Sequence, residues 1–325
     1  MAINASALTR AQNFRSGYLQ SLGVTSVQVK DSLELILSHD TIDPSQFSLL
    51  VQQYGIPSIY RMLVWKLLLD LLPHCKVDWQ FSECQRYEQF ESMHRLVCIL
   101  NGQQLGAPGA STELTPALLT AMCLLTTKND GRLGVISRHT AELEHATLIA
   151  SNFLEICDSD VDAYWLCLRF LTINELILQS KERLVSADVY FIRLRSRIDE
   201  ALRPLLESLA SIVKHADPQI HARLLGLEVR YDEFAAGWLR CRFAGLFPPF
   251  ALERIWDRLI ADRTNSMCVF VSASILINAR SSLLSKRTKV DVLAFLTKLP
   301  ECSIDRVLER AARMPRNHMT DQPTS

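Results

Sequence analysis

The sequence predicts an all-α fold. Three observations carry that expectation. Apolar residues recur three and four positions apart through most of the chain, no long stretch alternates apolar with polar as a half-buried strand would, and Gly and Pro fall mainly between the periodic segments. No segment repeats at a fixed period, which argues against a regular solenoid. The stretch YGIPSIYRMLVWKLLLDLLP, residues 54–73, is the most informative part of the pattern. Ser58 stands after Pro57 as a candidate N-cap, and Leu63, Val64, Leu67, Leu68, Leu71 and Leu72 make two adjoining stripes before Pro73 closes the run. A helix apolar on nearly every side belongs inside a helical core. Arg61 and Trp65 lie four apart on one face of it, and an arginine there needs a partner.

Taken in order, the chain opens with an expected frayed end, then a short helix from Asn13 to Gly23. Asp31 is read as the cap of the next helix, whose apolar face is Leu33, Ile36 and Leu37. Asp43-Pro44 opens another through Val51, and the central helix follows. Phe90, Met93, Leu96, Val97 and Leu100 mark a long helix ending near residue 100. Residues 101–116, rich in Gly, Ala, Ser and Pro, are irregular. Helices are then expected over 117–125, over the segment HTAELEHATLIASNFLEIC, and over 161–178, 181–213 and the segment after Asp217-Pro218. Further helices are expected over 234–247, 250–260, 267–284 and 290–299, and disorder after Met314. The corresponding division is an N-terminal lobe over 1–160, a C-terminal lobe over 161–313 and a tail over 314–325.

Composition narrows the function classes. The 325 residues are 48% hydrophobic and 22% charged, with 35 Lys+Arg against 35 Asp+Glu. Balanced charge speaks against nucleic acid as a partner and against electrostatic capture by a membrane. Nine cysteines without a C-x-x-C pair read as reduced thiols of a cytoplasmic protein, and the eight histidines form no HExxH or other ligand spacing, so neither metal nor cofactor is expected. The start of the chain has no signal-peptide h-region, and the longest apolar run, 267–279, is too short to span a bilayer.

The segment FAAGWLRCRFAGLFPPFALERIWDRLI carries a second pattern: Trp238, Phe243 and Phe247, then Pro248, then Ile255-Trp256-Asp257, then a long apolar helix. This order resembles the C-terminal signature of the TBC domain, the fold of GTPase-activating proteins for Rab-type small GTPases. Arg61-x-x-x-Trp65 is similar to that family's N-terminal motif. The resemblance implies a two-lobed helical fold and structural roles for Arg61, Trp65, Trp238, Trp256 and Asp257. NFRS at Asn13, the entry Ile59-Tyr60-Arg61, Asp162-Ala163-Tyr164-Trp165 and the segment from Arg240 to Gly245 narrow it. They point to the subfamily that supplies the small third subunit of the tuberous sclerosis complex. Such a protein would have a hamartin-like coiled-coil protein and a tuberin-like GTPase activator as partners. It would act on Rheb and TOR signalling through them, and would reach lysosome or vesicle membranes only by way of those partners.

An active member of this family places an arginine from I-x-x-D-x-x-R and a glutamine from Y-x-Q at the transferred phosphoryl. An arginine supplied in trans is worth roughly 10³–10⁵ in rate. Between Trp65 and Trp165 there is no I-x-x-D-x-x-R. Asn129-Asp130-Gly131-Arg132 is its nearest echo, with Arg132 in a polar turn where a solvated loop residue is the simpler reading. Tyr18-Leu19-Gln20 and Tyr87-Glu88-Gln89 fall in the wrong order, and both read as helix-surface coincidences. Arg193, Arg195 and Arg197 lie among Asp188, Asp199 and Glu200, the mark of a solvated helix face rather than a phosphate site. The expectation is a chain without catalytic fingers that binds a partner helix, the alternatives being an active activator of a Rab and a helical scaffold unrelated to GTPases. Leu118, Met122 and Leu125 align at i, i+4 and i+7 as the candidate partner face, beside the blander reading that they are core.

Overall fold

In the computed structural model, residues 25–100, 113–127, 143–174, 176, 187–262, 264–299 and 303–314 are described. Among them are fifteen α-helices, one 3-10 turn and no strand, with isolated bridges only at Thr41–Cys75 and Ala244–Phe247. The expected helix from Asn13, most of the irregular segment 101–116, the turn holding Arg132 and the tail after Met314 lie outside the described residues.

The first three helices are α1 (Thr25–Ser38), α2 (Ser45–Tyr54) and α3 (Ser58–Leu68). Asp31 does not cap α1 but lies inside it, because buried Val29 and Leu33 continue one face through that position. Asp43 opens α2 as expected: its carboxylate accepts from the Ser45 amide at 2.9 Å. Ser58 is the first residue of α3 rather than its cap. The helix stops at Leu68, short of Leu71 and Leu72, because Asp70 turns into the left-handed region at φ 57°. The Leu71 amide then returns to the Lys66 carbonyl at 2.7 Å, which keeps Leu71 and Leu72 in the core.

After the 3-10 turn Lys76–Asp78 comes α4 (Trp79–Leu100), which buries only Phe90, Val97 and Cys98. Then follow α5 (Pro116–Thr127), α6 (Glu144–Ile156) and α7 (Asp160–Ile173), mutually packed and joined to α4. The long α8 (Ala187–Ala216) runs roughly 45 Å and contains Pro204. Short helices α9 (Pro218–Gly226) and α10 (Asp232–Arg240) lie against it. The expected helix 234–247 ends at Arg240, since Arg242 and Phe243 both take positive φ.

Two helices organise the second half. The first, α11 (Pro249–Ala261), packs against α2, α3 and α6 and so ties late residues to early ones. The second, α12 (Ser266–Asn278), holds no charged residue and is buried from Ser266 to Ile277. It is sheathed by α8, α10, α11 and a final helix. The expected helix 267–284 breaks at Ala279 into α12 and α13 (Arg280–Ser285), followed by α14 (Lys289–Thr297). The final helix, α15 (Ile304–Arg313), lies beyond the last helix expected from the sequence. Its signal was present, because Ile304, Val307, Leu308 and Ala311 repeat at i, i+3, i+4 and i+7.

Candidate functional site

Arg61 and Trp65, one turn apart on α3, point at the same carboxylate on α11. Asp257 accepts from Arg61 Nε at 3.0 Å, from Arg61 Nη2 at 3.3 Å and from Trp65 Nε1 at 2.9 Å. A fourth donor, the Ile56 amide, reaches it at 3.3 Å. The guanidinium spends its remaining donors on the Ile56 carbonyl at 3.2 Å and on Glu253 at 2.9 Å, one turn before Asp257. Asp257 is 1% exposed and Arg61 6%.

Such a pair is stable in the interior because the carboxylate takes four donors and each guanidinium nitrogen meets an acceptor. Burial pushes the Asp257 carboxyl above its ordinary value, and Arg61, Trp65 and the Ile56 amide pull it back. The α2–α3 connection is shaped to serve the joint. Gly55 has φ 81°, and a Cβ there would lie 3.2 Å from Nη1 of Arg258. Arg258 is itself buried, donates to the Arg254 carbonyl at 3.2 Å, and is drawn down to about 10 by desolvation.

An aromatic cluster closes the joint on the inner side. Trp256 lies 4.7 Å from Phe153 and 4.9 Å from Phe170 between ring centroids, and Trp65 meets Phe153 edge-on at 6.1 Å. The Trp256 indole donates to the Arg242 carbonyl at 2.9 Å. The Arg242 side chain, also buried, donates to the Asn174 amide oxygen at 2.9 Å and the Asn265 amide oxygen at 3.2 Å. Ile255, Trp256 and Asp257 are thus all interior, Trp256 bonded to Arg242 and Asp257 to Arg61.

Arg61, Trp65, Trp256 and Asp257 come together across nearly two hundred residues of chain. Trp238 does not join them. It stands in a separate ladder with Phe234, at 5.2 Å, and Tyr231. Leu118, Met122 and Leu125 require a correction: all three are buried, since α5 is packed by α4, α6 and α7 and its stripe faces inward. Arg132 and Tyr18 to Gln20 lie outside the described residues, as do the side chains of Arg193, Arg195 and Arg197. Tyr87, Glu88 and Gln89 are exposed on α4. Among the described residues no group of His, Cys, Asp or Glu could hold a metal ion. Two clefts, of about 670 and 600 Å³, lie along α8 away from the joint and share Ala210 and Tyr231. Glu253 went unnoticed in the sequence although its spacing from Asp257 places both on one face. Gly55 marks a break before α3 and Arg242 lies in the motif segment from Arg240 to Gly245, but nothing in the sequence ties either of them, or Ile56, to this joint.

A saturated, buried carboxylate offers no atom to a substrate. The geometry is that of a joint between two halves of a helical scaffold. The fold in which this joint sits is the TBC fold. Residues 146–284 match the Rab-GTPase-TBC domain family. The chain is 27% identical over 310 residues to TBC1 domain family member 7 of Xenopus tropicalis, covering 94% of this chain and 95% of that one. It is 26% identical over 309 residues to the Homo sapiens protein of the same name, with the same coverage of 94% and 95%. Among solved structures, the Ypt/Rab-GAP domain of Gyp1p superposes with a TM-score of 0.58 at 16% identity, covering 88% of this chain and 97% of that domain. A Chlamydomonas flagellar RabGAP TBC domain gives 0.55 at 14% identity, over 90% and 93%.

Proposed function

We propose that this chain is a non-catalytic TBC-domain subunit that holds a coiled-coil partner and stabilises a larger complex. The observation that carries this reading is the correspondence with the proteins named TBC1 domain family member 7, which runs along almost the whole chain rather than the domain alone. The subfamily resemblance implies a hamartin-like partner, a tuberin-like activator and, through them, Rheb and TOR signalling. The lack of an I-x-x-D-x-x-R motif between Trp65 and Trp165 and of a Y-x-Q motif in the family's order supports a lost activity, since phosphoryl transfer depends on those two side chains. We propose also that residues 1–160 and 161–313 form the two lobes, clamped by the Arg61–Asp257 joint.

We place the partner face on α4 rather than on the buried α5 stripe. Phe81, Tyr87, Leu96, Ile99 and Leu100 are all exposed there, a concentration of apolar side chains that no other described helix matches. Leu96, Ile99 and Leu100 repeat at i, i+3 and i+4, the spacing at which an apolar helix is recognised side by side. Exposed positions of this kind contribute within about 0.5 kcal/mol to folding, so Leu96→Glu and Ile99→Glu should leave the melting temperature nearly unchanged. Copurification from cells checks the reading. A hamartin-like coiled-coil protein should accompany the wild type in stoichiometric amount and be lost with the α4 variants. Recovery of a GTP-bound Rab alone would overturn it.

The domain match favours one second reading, an active activator of a Rab-family GTPase with Arg132 as its finger. Single-turnover GTP hydrolysis separates the two. Stimulation by the wild type that disappears in Arg132→Ala supports the active reading, and no stimulation across Rab proteins supports the non-catalytic one.

A further inference from the structure

We propose that the outer face of α15 is a docking surface for an acidic helical segment of a partner protein. The face is separate from α4, and nothing in the proposal depends on that helix. Ile304, Val307, Leu308 and Ala311 bury one side of α15, and Arg306, Arg310 and Arg313 stand exposed on the other. At 3.6 residues per turn the three arginines fall within an arc of about 60°, along roughly 10 Å of helix.

None of the three forms an ion pair among the described residues, and the packing explains why. The two helices under α15 are α12 and α2, and neither contains a charged residue. The acids of α15 itself are Asp305 and Glu309. Asp305 is taken by Arg254 of α11, which adds another cation beside the stripe, and Glu309 is exposed at its edge. Arg306 repels Arg310 at i, i+4, and Arg310 repels Arg313 at i, i+3. The helix dipole accounts for Arg310 and Arg313 in the last turn but opposes Arg306 in the first. Among the described residues only Glu309, at i+3 from Arg306 and i−4 from Arg313, offsets part of this repulsion, and the field left by three arginines against one acid is one that an anion can relieve.

The kind of anion follows from the side chains. All three cations are arginine, whose planar fork grips carboxylates in pairs of bonds, and their spacing is that of one face of an opposing helix. An anionic membrane is disfavoured, because the exposed face of α15 presents no large apolar side chain to insert and the whole chain has a formal net charge of zero.

The test uses the full chain and a labelled alanine-based helical peptide of about 20 residues with glutamates on one face at i, i+4 and i+7. A second peptide of identical composition has its glutamates spread around the helix. Fluorescence anisotropy at low salt should show the striped peptide bound about tenfold more tightly, with the preference falling as salt is added. Arg306→Gln/Arg310→Gln/Arg313→Gln should abolish the preference, glutamine being nearly as good a helix former as arginine. Equal binding of the two peptides to the wild type would overturn the proposal without reference to any variant. Stripe-dependent binding to phosphatidylserine vesicles with no peptide preference would overturn it in favour of a lipid surface.

Discussion

Asp257 accepts four hydrogen bonds in a place that water does not reach, and two of the four come from one arginine. Removing the carboxylate leaves Arg61 buried with only Glu253 opposite one of its nitrogens. Asp257→Ala should therefore destabilise the protein by about 3 kcal/mol, read as a lowered urea midpoint at constant slope. Asp257→Asn, which keeps one acceptor oxygen for Trp65 Nε1 and Arg61 Nε and loses the oxygen that faces the Ile56 amide, should cost less than Asp257→Ala. The double variant Arg61→Met/Asp257→Leu should cost less than Asp257→Ala alone, because no charge is then left unpaired. A double variant costlier than the single change would show that the pair itself, and not the penalty of breaking it, holds the joint. Of this joint, Arg61, Trp65 and Asp257 were legible in the sequence as types and spacings. That they touch was not, since the bonds span 192 and 196 residues of separation.

Helix α8 shows how an element survives a residue that opposes it. Pro204 lies in its interior, exposed, where it removes one backbone hydrogen bond and crowds the preceding turn. Leu202, Leu209 and Val213 bury the other face and hold the helix through that defect. Pro204→Ala should raise stability by about 1–3 kcal/mol, measured as an increase in the urea midpoint. Other element boundaries were decided by single backbone positions. Asp70 in the left-handed region ended α3 four residues before the apolar run did, and the turn at Arg242 and Phe243 ended α10 within an apolar segment. Periodicity reports which side chains want burial, and it does not report where a residue pays a steric cost to turn the chain. Helix α15 is the reverse case. Its periodicity is clear in Ile304, Val307, Leu308 and Ala311, but charged residues lie between those apolar positions and mask the stripe.

At the scale of the molecule, helices from the two halves are interlocked. Helix α11 lies against α2, α3 and α6, Gln52 donates to the Ala261 carbonyl at 2.7 Å, and Arg61 reaches Asp257 and Glu253. A fragment of residues 1–160 would expose the Trp65–Phe153 surface that Trp256 covers and leave Arg61 without its carboxylates. It should fail to give the sharp unfolding transition of the full chain when both are followed by circular dichroism, while the full chain should unfold in one step. A cooperative transition in the isolated fragment would show instead that the first lobe folds alone.

The amino-acid sequence determined the all-α class, most helices and the family resemblance, because apolar spacing and a few motif residues are local properties of the chain. It also marked Arg61 and Trp65 as needing partners, because a cation on an apolar helix is costly wherever the chain places it. Only the tertiary structure decided which carboxylate they meet, that the stripe of Leu118, Met122 and Leu125 faces inward, and that α4 and α15 present their unpaired faces outward. A stripe at helical spacing has the same pattern whether another helix covers it or not. The covering helix comes from a distant part of the chain, and its position is set by packing that no local spacing encodes.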